Sequence, residues 1–340
     1  MIVYLLILLI LLIAGIKKSD SRESCLDRET TNAIKGIFIL LVFFSHICPI
    51  LSAAGANFSP VFDVPAISFI KSAGQLIVVM FLFYSGYGVM ESVRSKGTAY
   101  IKSIPFKRVL STLVNYDIAV VIFLLLNLIL GIRYPVRQYL LSLIAWDSVG
   151  QSNWYIFAIL CCYLSTYFAF TVFHKEHRAL IAVSVLLIIY YLIMHGLKDT
   201  WWYNTILAYL VGMAVSMNKV RVFSVLDRHY ALCLISIVGV FVLTYFFNDR
   251  TYIYLFMSVA FALLIFVLTY KITIRNKVLS WCGSNLFQLY VYQRIPMVAL
   301  SSLWPDLPES HLYVFFVCCY VVTILFAFLI KPLSINVRNC

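Results

Sequence analysis

The fold class is decided by a stretch near the N-terminus, NAIKGIFILLVFFSH, which covers residues 32–46. Apolar residues continue from it to residue 54, and about 20 such residues are enough to cross a bilayer as a helix. We therefore predict an all-α polytopic integral membrane protein with one span at residues 34–54. Ten other apolar runs lie near residues 2–16, 69–90, 109–131, 154–173, 179–195, 201–217, 230–247, 252–270, 285–303 and 312–330.

The composition excludes a water-soluble protein. Of the 340 residues, 63% are apolar and 12% are charged, whereas a soluble domain usually carries about 25% charged residues. A mean hydropathy of +0.95 leaves too little polar surface to cover a soluble body. Soluble enzymes, nucleic-acid-binding domains and disordered chains are therefore excluded, and the expected partner is the lipid bilayer.

The net charge of +12 is distributed unevenly between the loops. If ten spans run from residue 34 onward, 19 of the 26 Lys and Arg residues fall on one side and 4 on the other, while 3 lie within or at the edges of spans. Lys and Arg are enriched in the cytoplasmic loops of membrane proteins. We therefore predict a multi-pass protein of the plasma or inner membrane, with residues 17–33 and the C-terminus in the cytoplasm.

The first apolar run, residues 2–16, is short, and Lys17 and Lys18 follow it. A secretory signal peptide has its basic residues before the apolar core, so we predict an uncleaved extra span with its N-terminus outside. An interfacial segment is the alternative, because 15 residues give only about 22 Å of helix. The predicted divisions are residues 1–33, a hydrophobic segment with a basic cytoplasmic loop; residues 34–335, one membrane domain; and residues 336–340, a cytoplasmic tail.

Lys35 and His46 are the most informative polar residues within a predicted span. They are 11 positions apart, close to three helical turns, so both lie on one face about 16 Å apart. Lys35 belongs at the cytoplasmic boundary and His46 beyond the midplane. The pair predicts an anionic donor bound on one side and proton transfer by the imidazole higher in the bilayer. The alternative for Lys35 is an interfacial anchor. The alternative for His46 is a neutral imidazole hydrogen-bonded to a neighbouring helix.

Two further ionisable residues lie within the spans, where burial of a charge is costly. Asp117 lies about two turns into its predicted helix, which suggests an ionic partner such as Lys35 or Arg108. Arg294 lies in the middle of an apolar run and requires a counter-charge or a water-filled cavity. Structural ion pairing is the alternative to a functional role for Asp117.

The third predicted span ends in FYSGYG at residues 83–88, where small residues permit either close helix packing or a local break. Nearer its outer end, Lys71 and Gln75 are predicted to form an i, i+4 pair. The loop after this span is basic, which either marks the cytoplasmic side or, if the side chains converge, provides a phosphate site. The residues concerned are Lys102, Lys107 and Arg108.

The nine cysteines have no C-x-x-C spacing, and two adjacent pairs lie inside apolar runs. We interpret them as small apolar helix residues. The sequence therefore predicts no metal site and no permanently bound cofactor.

Four motifs resemble, in order, those of the membrane-bound acyltransferase-3 family. Residues 32–46 resemble its opening signature, in which a basic residue and a glycine precede aliphatic residues and a histidine. Residues 81–88 are similar to its aromatic segment ending in Ser-Gly-Tyr, residues 105–110 to the basic loop that follows, and residues 153–155 to the start of its middle helix. The resemblance covers about residues 30–335 and implies ten spans, with one additional N-terminal segment.

This resemblance implies that an acyl group, most often acetyl, moves from cytoplasmic acetyl-coenzyme A (acetyl-CoA) or another acyl-CoA to a sugar hydroxyl. The acceptor would be a cell-surface glycan, such as an envelope polysaccharide, or its lipid-linked precursor. By the same resemblance, His46 is the catalytic base and Lys35 its essential basic partner. The residues expected to bind the donor are Lys35, Lys102, Lys107 and Arg108. Further site candidates, from the resemblance or from the polar pattern, are Ser85, Gly86, Tyr87, Asp117, Trp154, Gln293 and Arg294.

The sequence departs from the family pattern at two places. Adjacent Lys107 and Arg108 stand where the family typically has paired arginines, and Gln293 stands where many members have a histidine. Glutamine cannot act as an acid or base at neutral pH. A proton-coupled transporter or flippase for a glycolipid or small anion is the alternative function, because buried ionisable residues also suit alternating access. A non-catalytic scaffold or sensor is a third interpretation, and the sequence carries no signal for an oligomeric state.

Overall fold

The protein is an all-α polytopic membrane protein, and a computed structural model describes its residues 1–19 and 21–330. The helices are α1 Ile2–Gly15, α2 Arg28–Ala53, α3 Asp63–Ala73, α4 Leu76–Ile104, α5 Ser111–Ile129, α6 Val136–Ser142, α7 Trp154–Val172, α8 Glu176–Leu197, α9 Leu207–Met217, α10 Lys219–Phe246, α11 Thr251–Lys271, α12 Lys277–Ser284, α13 Leu286–Tyr292, α14 Arg294–Leu303, α15 Asp306–Ser310 and α16 Leu312–Ile330. Two short strands, β1 Ile16–Lys18 and β2 Ile272–Ile274, pair antiparallel. The predicted tail at 336–340 and the predicted domain boundary at 335 lie outside the described residues.

Seven helical stretches within the described part of the chain are long and apolar enough to cross a membrane. Most of the predicted span at 69–90 and nearly all of that at 109–131 fall in one stretch of joined helices, Leu76–Ile129, which is interrupted at Gly97 (φ +56°, ψ −140°). Other predicted spans are shorter as helices, since α1 has 14 residues and α9 has 11. The fold class is confirmed, while the number of crossings stays a prediction.

Helix α2 carries both polar residues of the opening motif. It begins after Asp27, whose carboxylate accepts a 2.6 Å hydrogen bond from the Thr30 amide, a common cap for a helix N-terminus. The helix continues for 26 residues and ends beyond His46. Lys35 lies near the start of α2 and His46 near its end. We call the corresponding ends of the helix bundle the Lys35 end and the His46 end.

The third predicted span begins later than its hydropathy indicates. Gly74 has φ +48° and ψ −129°, a conformation available to glycine because it lacks a Cβ. It ends α3, and α4 begins two residues later. The prediction of an i, i+4 pair between Lys71 and Gln75 is therefore wrong, because the break at Gly74 places them in separate elements.

The predicted span at 285–303 is divided for a different reason. Pro296 has no amide hydrogen to donate to the Tyr292 carbonyl, and α13 gives way to α14 at Gln293. Gln293 nevertheless keeps helical dihedral angles, φ −58° and ψ −30°. Tyr290 and Arg294, four positions apart, consequently share one face.

Helix α1 runs alongside α2 in the opposite direction. Met1 lies at the His46 end, where its terminal ammonium contacts the Asp63 carboxylate. Gly15 lies at the other end, beside Asn276 and close to β2. Helix α1 thus follows the length of α2, and its crossing of the bilayer stays a prediction.

Close helix contacts at glycines set the spacing of the bundle. A Cβ on Gly36 of α2 would lie 1.9 Å from the Leu279 carbonyl oxygen of α12. A Cβ on Gly86 of α4 would lie 1.9 Å from the Tyr209 carbonyl oxygen of α9. Small residues allow such backbone approach between helices, so both glycines hold α2 and α4 in the positions from which their polar residues reach the site.

Candidate active site

His46 lines a cavity of about 510 Å³, here called the His46 cavity. Helices α2, α3 and α4 form most of its wall, and three aromatic side chains close it: Trp154, Trp201 and Tyr290. Its volume lies in the range of small-ligand sites. The sequence-predicted residues His46 and Trp154 therefore share one cavity, although they lie in different helices.

The His46 imidazole has one ring nitrogen that is not hydrogen-bonded to any described residue. This nitrogen, Nδ1, is buried. Buried polar groups that serve packing are normally hydrogen-bonded. Pro49, one turn later, lacks the amide hydrogen that would bond the Ser45 carbonyl in a regular helix. Near His46, the cavity wall therefore contains an imidazole nitrogen without a hydrogen bond in the described chain and a Ser45 carbonyl without its usual helical donor.

A row of aromatic rings leads from His46 into the bundle. The ring centroids of His46 and Tyr290 lie 6.4 Å apart, those of Tyr290 and Tyr155 lie 5.4 Å apart, and those of Tyr155 and Phe81 lie 5.9 Å apart. Tyr290 is 1% exposed and Phe81 is 2% exposed. These rings fix the orientation of α13 and α7 relative to the histidine.

Lys35 lines a second cavity, of about 440 Å³, here called the Lys35 cavity. Arg28, Tyr84, Tyr87 and Glu91 also line it. The Tyr84 hydroxyl is buried and has no hydrogen-bond partner among residues 1–19 and 21–330. The cavity therefore offers two cations, one carboxylate and an unused hydroxyl to a polar ligand.

Apolar side chains occupy the interval between the two cavities. Lys35 lines one and Val42 the other, and seven residues of helix correspond to about 10 Å. Phe38 and Ile39 are buried in this interval, and Phe81 of α4 is buried at the corresponding height. The polar groups at the two ends of α2 are thus separated by a hydrophobic layer.

The basic loop after α4 does not gather around Lys35. Lys102 and Lys107 are exposed, and neither lines the Lys35 cavity. Arg108 lies in a π-helical turn and is half-buried, where its Nε donates a 3.1 Å hydrogen bond to the Tyr100 hydroxyl. Of the four expected donor-binding residues, only Lys35 lines this cavity.

The three residues of the Ser-Gly-Tyr motif on α4 lie in three different environments. Ser85 lies close to the hydroxyls of Tyr155 and Tyr163, Gly86 packs against the α9 backbone, and Tyr87 lines the Lys35 cavity. Of the two alternatives for this motif, close helix packing applies, because Gly86 contacts the α9 backbone and α4 stays helical through residues 83–88.

Asp117 has no ionic partner within the described residues. The ion pairs there include neither Asp117 nor its expected partners Lys35 and Arg108. Its Oδ1 is buried without a hydrogen-bond partner in the same part of the chain. The expectation of an ion pair is therefore wrong: Arg108 turns to Tyr100 instead, and Lys35 faces its own cavity.

The two remaining candidates lie side by side between α13 and α14. Gln293 is 1% exposed, and its Nε2 donates a 3.1 Å hydrogen bond to the Tyr290 carbonyl. Its Oε1 is buried with no hydrogen-bond partner in the described chain. Arg294 is half-buried and forms none of the ion pairs found in the described chain.

Sequence reasoning did not select Trp201, Glu91 or Arg28 as site residues. Glu91 follows Tyr87 by one helical turn, so helical spacing from the motif would have found it. Trp201 lies in a 3₁₀ turn before α9, and nothing in its local sequence points to His46. Lys198 supports this turn, because its Nζ lies 4.5 Å from the Trp202 ring centroid.

Lys198 lies outside the candidate spans and joins two loops at the His46 end. Its Nζ donates a 2.8 Å hydrogen bond to the Trp146 carbonyl and lies 4.3 Å from the Trp146 ring centroid. Burial lowers the pKa of this ammonium, while Asp147 and Asp199 act in the opposite direction. This contact fixes the turn that carries Trp201 relative to the loop before α7.

Comparison with protein families matches the chain over most of its length. Residues 30–331 match the family model described as an acyltransferase domain, of the acyltransferase-3 type. No curated protein and no solved structure shows significant similarity to the chain. The matched segment contains His46, Lys35 and nearly all residues of both cavities. The chain therefore belongs to the acyltransferase-3 family and is a membrane acyltransferase.

Proposed function

We propose that this acyltransferase transfers an acetyl group from cytoplasmic acetyl-CoA to a hydroxyl of a cell-surface glycan or its lipid-linked precursor. The observation that carries the proposal is the arrangement along α2, where Lys35 and His46 line separate cavities at opposite ends. A donor and an acceptor that approach from opposite sides of a membrane require two such openings.

The Lys35 cavity is the proposed donor site. Lys35 and Arg28 provide positive charge for the phosphates of coenzyme A, and charge-assisted hydrogen bonds to phosphate are among the strongest that side chains make. The unused hydroxyl of Tyr84 provides a further donor. The predicted excess of Lys and Arg on the side that holds residues 17–33 supports a cytoplasmic location for this cavity.

The His46 cavity is the proposed acceptor site, and His46 the general base. The acceptor hydroxyl attacks the thioester carbonyl while the imidazole takes its proton. This attack forms the carbon–oxygen bond of the new ester. The carbon–sulfur bond then breaks, and the coenzyme A thiolate that leaves takes the proton from His46. The thioester must pass the hydrophobic layer at Phe38 and Phe81 to reach this position, which the long pantetheine arm of the donor allows.

The test uses membranes from cells that express the wild type, His46→Ala or His195→Ala, incubated with acetyl-CoA labelled in the acetyl group. His195 is a matched control, because it is also a histidine but packs against the rings of Tyr191 and Tyr203, not in the His46 cavity. We expect label in glycan or glycolipid material with the wild type and His195→Ala, and a fall of about 10²–10⁴-fold with His46→Ala.

Persistent labelling with His46→Ala at a normal protein level would contradict the proposed base. Wild-type membranes that move a labelled glycolipid or anion between vesicle compartments, without acetyl transfer, would support the transporter alternative instead.

A further inference from the structure

We infer that the His46 cavity recognises its acceptor through a phosphate-type anionic group, held by Lys71 and Arg294 beside the hydroxyl that is acylated. The assignment of the acceptor to this cavity rests on the proposed function, whereas the anion site itself follows from the charges around the cavity. The inference therefore narrows the acceptor to an anionic, phosphate-bearing one.

The wall of the His46 cavity carries positive charge without compensation. Lys71 lines it, and no Asp or Glu in the described part of the chain is among its lining residues. The other polar side chains that line it, Ser45, His46 and Gln75, are not acidic. A cation that no carboxylate compensates attracts an anionic ligand, and the attraction grows as the ligand leaves bulk water.

Lys71 is free to bind such a ligand. Its side chain is exposed, and it takes part in none of the ion pairs found within residues 1–19 and 21–330. The break at Gly74 turns the last residues of α3 toward the cavity opening instead of continuing them into α4. Lys71 thus stands at the rim, where an incoming anion meets it first.

Arg294 is the second cation, and it lies next to a lining residue of the cavity without being one itself. It follows Tyr290 by one turn on the same helix face, and Tyr290 lines the cavity. Its guanidinium is near enough to His46 to interact with it electrostatically. An arginine within a membrane domain is costly without a counter-charge, and none of the carboxylates in the described residues pairs with it. A ligand phosphate would supply this missing counter-charge, and arginine suits phosphate because its fork can donate two parallel hydrogen bonds.

The surroundings of the cavity favour an anion that is anchored in the membrane. Helix α3 turns Ile67 and Ile70 toward the cavity, while Phe62, Val64 and Phe69 on or beside it are exposed. A short helix with an apolar exposed side lies at the boundary between headgroups and acyl chains. Lys71 at its end is therefore placed at the depth where a phosphate linked to a lipid chain is found.

The test measures binding to the purified full-length protein in phosphatidylcholine nanodiscs. The probes are decyl phosphate, which has both the anion and a chain, decyl glucoside, which has the chain and no charge, and glycerol 3-phosphate, which has the anion and no chain. We expect decyl phosphate to bind at least tenfold more tightly than decyl glucoside, and Lys71→Gln and Arg294→Gln to abolish this difference. Lys71→Arg should retain it. Arg250→Gln is the matched control, because it removes an exposed charge outside the cavity.

Equal binding of decyl phosphate and decyl glucoside to the wild type would overturn the inference, as would a Lys71→Gln variant with unchanged affinity. Glycerol 3-phosphate that binds as tightly as decyl phosphate would support the anion site and identify a free phosphate as its source. Acetyl transfer is measured in the same preparations. Transfer without selective phosphate binding would refute the anion site alone, and selective binding without transfer would refute the proposed function alone.

Discussion

The imidazole of His46 on α2 and the ring of Tyr290 on α13 lie with centroids 6.4 Å apart at the wall of one cavity. The two residues lie 244 positions apart in the sequence, and α2 contacts both α13 and the preceding helix α12. The contact thus connects the motif at residues 32–46 with α13, the helix that carries Tyr290. It also places the buried ring of Tyr290 in the wall of the His46 cavity.

Tyr290 is expected to stabilise the folded protein mainly through the packing of its ring, with a smaller contribution from its hydroxyl. Tyr290→Ala removes a buried aromatic side chain that packs against His46 and Tyr155, which should destabilise the protein by about 3–5 kcal/mol. Tyr290→Phe keeps the ring and should cost less than half of that. Thermal unfolding in detergent measures both. A Tyr290→Ala variant as stable as the wild type would contradict the packing role.

Lys35 is expected to act on donor affinity. Lys35→Gln removes one charge-assisted contact worth about 1.5–3 kcal/mol, so the KM for acetyl-CoA should rise about tenfold or more. Lys35→Arg keeps the charge and should lose less. Lys96→Gln is the control, because Lys96 is basic and exposed on the same predicted side but lies outside the Lys35 cavity. Equal KM values for Lys35→Gln and Lys96→Gln would show that the donor binds elsewhere.

Gly283→Ala should destabilise the contact between α12 and α2. The added Cβ would lie 1.8 Å from the Asn32 carbonyl oxygen, so the helices must separate, at a cost of about 1–3 kcal/mol or more. Gly239→Ala is the control, because no atom of the described residues lies within 4 Å of a Cβ there, and alanine should be neutral or slightly stabilising in that helix. Gly283→Ala should therefore unfold at a lower temperature than Gly239→Ala, and equal unfolding temperatures would contradict the close contact.

Arg275 is expected to position the start of α2. Its guanidinium reaches the Glu29 carboxylate at 2.6 Å and the Asp27 carboxylate at 3.1 Å. These partly exposed pairs contribute about 1 kcal/mol or less each, so Arg275→Gln should change stability little. Because Asp27 caps the helix that carries Arg28 and Lys35, the KM for acetyl-CoA should rise while kcat changes less.

The control for Arg275 is Arg22→Gln, which breaks a different surface pair, with Asp227. A similar rise in KM for both variants would assign the effect to general loss of basic charge, and a fall in kcat alone for Arg275→Gln would contradict its positioning role.

The predicted topology places Lys96 and Arg250 on opposite sides of the membrane. In right-side-out vesicles, a membrane-impermeant maleimide should label Arg250→Cys at once and Lys96→Cys only after the vesicles are opened. Burial raises the pKa of the native Cys25 thiol to about 12. Because thiolate forms only as pH rises toward that value, Cys25 should remain unlabelled at pH 7–8. Immediate labelling of both introduced cysteines would refute the predicted orientation.

Some of the fold and site could be predicted from the sequence because the information is local. Hydropathy identifies apolar helices, since each must satisfy its backbone hydrogen bonds internally within lipid. The period of the α-helix alone places Lys35 and His46 on one face of α2. The order of the short motifs predicted the acyltransferase-3 family, and that prediction is confirmed.

The sequence by itself therefore determined the membrane class, the family and the face shared by Lys35 and His46. Only the tertiary structure decided that Arg108 turns to Tyr100 instead of Lys35, that Asp117 has no ionic partner in the described chain, and that Trp201 and Lys71 join His46 around one cavity. The physical reason is that these contacts depend on how closely separate helices approach and where each one breaks. Backbone contacts at glycines and the turn at Gly74 set those distances, and no pattern within a single helix records which partner it will meet.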